Sequence, residues 1–214
     1  MTQNAAHEQR QGRRYSGLDA SERTRQRREA LLEAALELFA SQGYPATSVK
    51  QLCRQAGLTE RYFYESFRDR HACLMALYDE LIDRLRAATV AALDDEIEAD
   101  AVTWRGLSAF VEHLTADTRR ARVILLEVVG ISAELEDRRH AVLRDFAEIT
   151  TAVWLRFDDQ SAPSDRQRLA ALGLVGAVNH LLVDWLHRGR QEQPTVLVET
   201  CSTLFEGARK QLES

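Results

Sequence analysis

Arg61, Tyr62 and Tyr64 stand in the stretch GLTERYFYESF, Gly57 to Phe67, where four aromatic rings and an arginine fall within eleven residues. Three consecutive rings on a helix cannot all face one core. A guanidinium fork and phenolic hydroxyls hydrogen-bond phosphate oxygens or base edges, whereas a phenylalanine ring does not. The residue types therefore predict a division. Leu58, Phe63 and Phe67 turn inward, and Thr59, Glu60, Arg61, Tyr62 and Tyr64 turn outward. The chemistry on offer is recognition of a nucleic-acid duplex.

Catalytic chemistry has no comparable carrier. There is no phosphate-binding glycine loop, no His-Glu-x-x-His pair and no nucleophile elbow, so an enzyme is not expected. Cys53, Cys73 and Cys201 are odd in number and far apart. They fit neither a disulfide framework nor zinc spacing and read as buried thiols, with no metal and no cofactor implied.

Presenting those outward side chains takes two short helices and a tight turn. Val49, Leu52, Cys53 and Ala56 keep the apolar spacing of a short helix, with Thr47 or Ser48 as its cap and Ser48 with Gln51 as a capping box. Gly57 breaks the chain, Thr59 is placed to cap a third helix, and Asp69 a fourth whose face is Leu74, Leu77, Tyr78 and Leu81. Before them, Leu32, Ala35, Leu36 and Phe39 mark a first helix that Gly43 and Pro45 stop. Helix, glycine turn and short helix make a helix-turn-helix, whose second helix can lie in a DNA major groove.

Charge follows the same division. Net charge is −5, but residues 1–70 carry twelve Lys/Arg against nine Asp/Glu, and the remainder sixteen against twenty-four. Residues 1–20 lack apolar spacing and read as a mobile basic arm. The arginines at 10, 13, 14, 23, 25, 27 and 28 are placed for contact with the DNA backbone or minor groove.

The rest of the 214 residues is helical in pattern, with prolines only at 45, 163 and 194 and no alternating strand signature. The expected fold class is all-α, with about nine helices. Segments follow at Trp104 to Asp117, the apolar Arg122 to Ile131, Ala133 to Phe157, Ser164 to Arg188 and Thr195 to Leu212. No apolar run of membrane-spanning length and no signal-peptide core is apparent, which gives a cytoplasmic expectation with no membrane partner.

Residues 35–80, ALELFASQGYPATSVKQLCRQAGLTERYFYESFRDRHACLMALYDE, resemble the TetR family of transcriptional regulators. The likeness rests on Phe39–Gly43–Tyr44, Thr47, Ala56–Gly57–Leu58–Thr59, Phe63–Tyr64, Phe67 and Arg70. It implies phosphate contacts at Thr47, Tyr64 and Arg70, with Ser48 and Thr59 beside them. It also implies base reading at Arg61 and Tyr62. Glu60 and the Arg61–Tyr62 pair depart from residues common at those positions, which leaves the operator sequence open. The implied partition is an arm at 1–20, a DNA-binding domain at 21–68 and a ligand-binding and dimerisation domain at 69–214.

The resemblance further implies a palindromic DNA operator, a homodimer and a small organic ligand. Arg168 to Leu186 is apolar on most faces, and Gly173, Gly176 and Ala177 allow close helix approach. With Leu197, Cys201, Leu204 and Ala208 on the last helix, it could form a four-helix interface through residues 168–188 and 195–212. Polar residues stranded on apolar faces, His113, Glu127, Thr150 and Asn179, are candidate ligand contacts, with Trp104, Phe110, Phe146 and Trp154 as apolar lining. The expected function is a homodimeric repressor released by a small, mostly apolar ligand, with the fourth helix, continuing toward Ile97, as the lever. The competing reading is a helical small-molecule or partner-binding protein without DNA function.

Overall fold

The computed structural model describes residues 3–93, 98–158, 160–189 and 191–212, with side chains from Asp19 onward. Among the described residues the fold is all-α: nine α-helices and one π-helical turn, with no strand. The chain divides into two compact units, residues 1–77 and 78–214.

In the first unit, α1 (Gln3–Gln42), α2 (Val49–Ala56) and α3 (Glu60–Ser66) pack on one another. The arm expected at residues 1–20 is helical from Gln3, as the upstream part of α1. Those residues are mostly good helix formers without proline, and a helix already nucleated by a packed segment extends at little cost. That packed segment is Leu31–Ala40, where Leu31, Ala35 and Phe39 are fully buried. Gly43 (φ 88°) ends the helix in the left-handed region.

The turn to α3 is set by local chemistry. The Ser48 hydroxyl accepts from the Gln51 N–H while the Gln51 side chain accepts from the Ser48 N–H, the expected capping box. Gly57 (φ 66°) then donates its N–H back to the Arg54 and Cys53 carbonyls. Thr59 stands at the N-cap of α3 but makes no side-chain cap; Glu60, in the first turn, complements the positive end of the helix dipole instead. α4 (Arg70–Ala91) starts at Asp69, whose carboxylate accepts from the Ala72 N–H at 2.7 Å. The division between the units falls inside α4, at Leu77/Tyr78, because Cys73, Leu74 and Leu77 are buried with the first unit. The stretch toward Ile97 lies outside the described residues.

In the second unit α5 (Ala99–Thr115) packs chiefly on α9 (Pro194–Leu212), and α7 (Ala133–Leu155) on α8 (Asp165–His187). α5 starts five residues before the expected Trp104. The apolar segment expected as one helix over 122–131 is short α6 (Thr118–Arg122) running into a π-helical turn, Val123–Glu127, which packs on α8. A π-turn takes an extra residue, so the helical phase shifts through it. α8 also corrects the expectation about apolar runs. It is long and apolar enough to cross a membrane by length and composition, and only 22% of that stretch is buried.

Ion pairs tie the helices to one another: Arg86 to Asp145 at 2.6 Å, Arg138 to Asp79 at 2.7 Å, and Arg209 and Lys210 to Asp100 at 2.8 and 3.0 Å. The hydrogen bonds from Lys210, then Arg209, hold the Asp100 carboxyl below its ordinary range. A depressed folded-state value means the pair stabilises above the unfolded carboxyl range, and the contribution is lost as pH falls through the folded value. Asp100 is about half exposed, so the contribution should stay under ~1 kcal/mol. Asp100→Asn should therefore melt slightly lower than wild type at neutral pH, and the two curves should converge in acid. Parallel curves down to acid would remove the pair from the pH response.

Candidate nucleic-acid interface and ligand cavity

Phe63 is fully buried and Phe67 is 5% exposed, their rings 5.6 Å apart. Tyr64 is 56% exposed and the Arg61 side chain 83%, so adjacent residues of α3 face opposite ways as their chemistry requires. Thr59 and Glu60 are exposed beside them, and Ser48 is exposed at the start of α2.

Tyr62 is half-buried, and the Arg27 guanidinium of α1 lies over its ring, 4.2 Å from the centroid. Glu65, a residue the sequence reading did not select, accepts from Arg61 at 3.0 Å and pairs with Arg27 at 3.8 Å. The spacing of Arg61 and Glu65 on one helix could have shown the first of these contacts. The second is a tertiary contact with no local signal.

Two expected phosphate contacts have other partners. Thr47 is fully buried, and its hydroxyl donates to the Gly43 carbonyl at 2.9 Å. A side chain enclosed in this way does not reach a phosphate, so Thr47 holds the turn after α1. Arg70 is half-buried, stacks over Tyr44 at 4.2 Å and donates to the Pro45 and Thr47 carbonyls. It clasps the same turn. Among the described side chains the basic residues of α1 are likewise engaged: Arg23 with Asp19, Arg25 with Glu22 and Glu29, and Arg28 over the Phe67 ring; Arg10, Arg13 and Arg14 lie outside the described side chains.

The second unit holds an apolar cavity of about 80 Å³ between its helices. Phe110, Phe146, Thr150 and Trp154 line it, as expected, and Val102, Gly106, Leu93 and Phe205 complete much of the wall. A smaller cavity, about 40 Å³, is lined by Asn179, Tyr78, Arg139 and again Phe110 and Phe146. Burial pushes the Tyr78 hydroxyl up to about 12, so it is a neutral donor.

Three expected lining residues are elsewhere. Trp104 is 40% exposed, because on α5 it falls opposite Val102, Gly106 and Phe110. His113 lies one turn beyond Phe110, outside both cavities. Burial, then Arg120 and Arg84, lower its pKa. Glu127 sits in the π-turn, 3.9 Å from Arg122.

Residues 31–77 match the family model of the bacterial regulatory proteins of the tetR family. This match places the helix-turn-helix segment of the chain in the tetR family. Similarity extends over most of its length. It is 22% identical over 163 residues to the fatty acid metabolism regulator protein of Bacillus subtilis (strain 168), covering 73% of this chain and 81% of that protein. The fatty acid degradation regulator FadR of Bacillus halodurans superposes with a TM-score of 0.76 at 19% identity, over 85% of this chain and 95% of that one. FadR from Bacillus subtilis, in complex with stearoyl-CoA, gives 0.73 at 19% identity over 83% and 96%. At that identity the superpositions establish a shared fold. The exposed face of α3 lies within the segment that matches the family model.

Proposed function

We propose that this protein is a homodimeric repressor that binds a palindromic operator and is released from it by a ligand with a long apolar chain. The observation that carries the DNA part is the outward face of α3, where Arg61 and Tyr64 are exposed on a buried Phe63 anchor. Arg61 and Tyr62 would read bases, while Tyr64, Thr59 and Ser48 would position the backbone. Residues 21–68 would form the DNA-binding domain and 69–214 the ligand and dimerisation domain, in a cytoplasmic protein.

The dimer reading is supported by an uncovered apolar stripe. Leu169, Leu172 and Gly173 are exposed on one face of α8, which continues through Gly176 to His180. On α9 the matching stripe is Val196, Thr200, Thr203, Leu204 and Gly207, all exposed. Leu197 and Cys201, expected at the interface, are instead buried within the chain. A Cβ built on Gly173, Gly176 or Gly207 meets nothing within 4 Å, so these faces are open and flat enough for a second copy to approach closely.

The ligand class follows from the lining. Among the described residues, the polar side chains of the larger cavity are the threonines Thr89, Thr103 and Thr150, whose hydroxyls already donate to Leu85, Ala99 and Phe146 carbonyls of their own helices, and Trp154 with its single indole N–H. Such a wall selects hydrocarbon. A fatty acyl thioester, the class held by the FadR regulator of similar fold, matches that wall. α4 contributes residues to both units and is the candidate lever.

A gel shift on DNA flanking the gene tests both parts. Wild type should bind a palindrome and be displaced by long-chain acyl-CoA. Arg61→Ala should cost about 1–3 kcal/mol on that site and relax preference at one base pair per half-site. A loss that is uniform over all duplexes would make Arg61 a backbone contact, and no selective binding at all would favour a regulator-derived binding protein.

A further inference from the structure

The two cavities of the second unit are separated by an aromatic pair. Phe110 of α5 and Phe146 of α7 line both, with ring centroids 5.2 Å apart and planes at 85°, and Val175 of α8 is the third residue in common. Neither cavity accommodates a long chain: about 80 and 40 Å³ are each below the roughly 150 Å³ of a cavity that admits a benzene ring. A long chain must therefore displace part of the lining, and Phe110 and Phe146 are the part that both cavities share.

The wall is built to move on one side. Phe146 is 8% exposed and set in the core, whereas Phe110 is only half-buried. A helical side chain leans over the turn N-terminal to it, and the residue one turn before Phe110 is Gly106. That position has no Cβ, and its space is taken by the Leu93 side chain, 2.7 Å from where a Cβ would stand. Leu93 itself lines the larger cavity from the turn after α4. A swing of the Phe110 ring toward Gly106 thus displaces a flexible leucine and no backbone.

The lining is also asymmetric across the pair. Tyr78, Arg139 and Asn179 all lie on the smaller side, while Trp154, Val153 and Phe205 close the larger. We infer that the Phe110–Phe146 pair is a movable partition that sets the acyl-chain length this protein accepts. Opening it joins the cavities into one channel, with the polar end of the chain near Arg139 and its methyl end toward Trp154. The inference rests on the acyl-ligand reading above and assigns the residues that measure the chain.

The test is calorimetry of octanoyl-, dodecanoyl- and stearoyl-CoA with the full-length protein, Phe110→Ala, Phe110→Trp and Phe146→Leu. Phe110→Ala should shift preference to longer chains, by about fourfold for each further methylene buried, and Phe110→Trp should shift it to shorter ones. Ratios between ligands on one preparation cancel any loss of folded protein, and Phe146→Leu, a milder change in the core, should shift preference in the direction of Phe110→Ala. Equal changes for all three chain lengths would overturn the partition while leaving an acyl ligand in place. Binding of none of the three by wild type would overturn the acyl reading and the partition with it.

Discussion

Phe63→Ala should abolish operator binding and lower the stability of the first unit by about 3–5 kcal/mol. Phe63 is fully buried, touches Tyr64 edge-on at 5.4 Å and Phe67 at 5.6 Å, and is the one fully buried residue of seven-residue α3. So short a helix has no stability of its own and depends on this anchor. Removing the ring leaves a cavity and frees α3 to fray, which disperses Arg61 and Tyr64. Thermal unfolding followed by circular dichroism should show an early transition absent from wild type. Acyl-CoA binding should persist, since the cavities are lined entirely by residues of the second unit. A variant that melts like wild type and still shifts DNA would show that α3 is held by something other than Phe63.

Leu172→Glu should convert the proposed dimer to monomer. Leu172 is 40% exposed at the centre of the α8 stripe, beside Gly173. Within one chain the glutamate would be solvated and nearly harmless. Facing its twofold mate it would place two like charges in an apolar contact, which costs several kcal/mol. Light scattering should report half the mass. Affinity for a full palindrome should fall by about 10²–10⁴, the advantage of two linked half-sites, while a single half-site is bound as before. Unchanged mass would place the interface on another face.

Much of the candidate nucleic-acid face was legible because local chemistry decides it. Ser48 and Gln51 are three residues apart and cap each other. Tyr–Phe–Tyr in one turn separates by polarity, and the buried ring is the phenylalanine. Thr47 and Arg70 were less legible because their partners are nonlocal. Arg70 reaches carbonyls 23 and 25 residues earlier, a closure that depends on how α4 meets the turn after α1. Among the cavity residues, Phe110, Phe146, Thr150, Trp154 and Asn179 were found because they stand on helices whose phase the sequence shows. Trp104 was misplaced because six residues separate it from Phe110, about 120° around α5, and Glu127 because the π-turn alters the phase.

The three thiols close off one kind of signal. Cys53, Cys73 and Cys201 are all buried, and burial pushes Cys73 up to about 12 and Cys201 up to about 11. At neutral pH the nucleophilic thiolate is then a fraction of roughly 10⁻⁴ or less at these two sites, and access is poor as well. Peroxides and electrophiles should therefore pass the folded protein by, so its output would follow metabolite supply without cross-talk from oxidative stress.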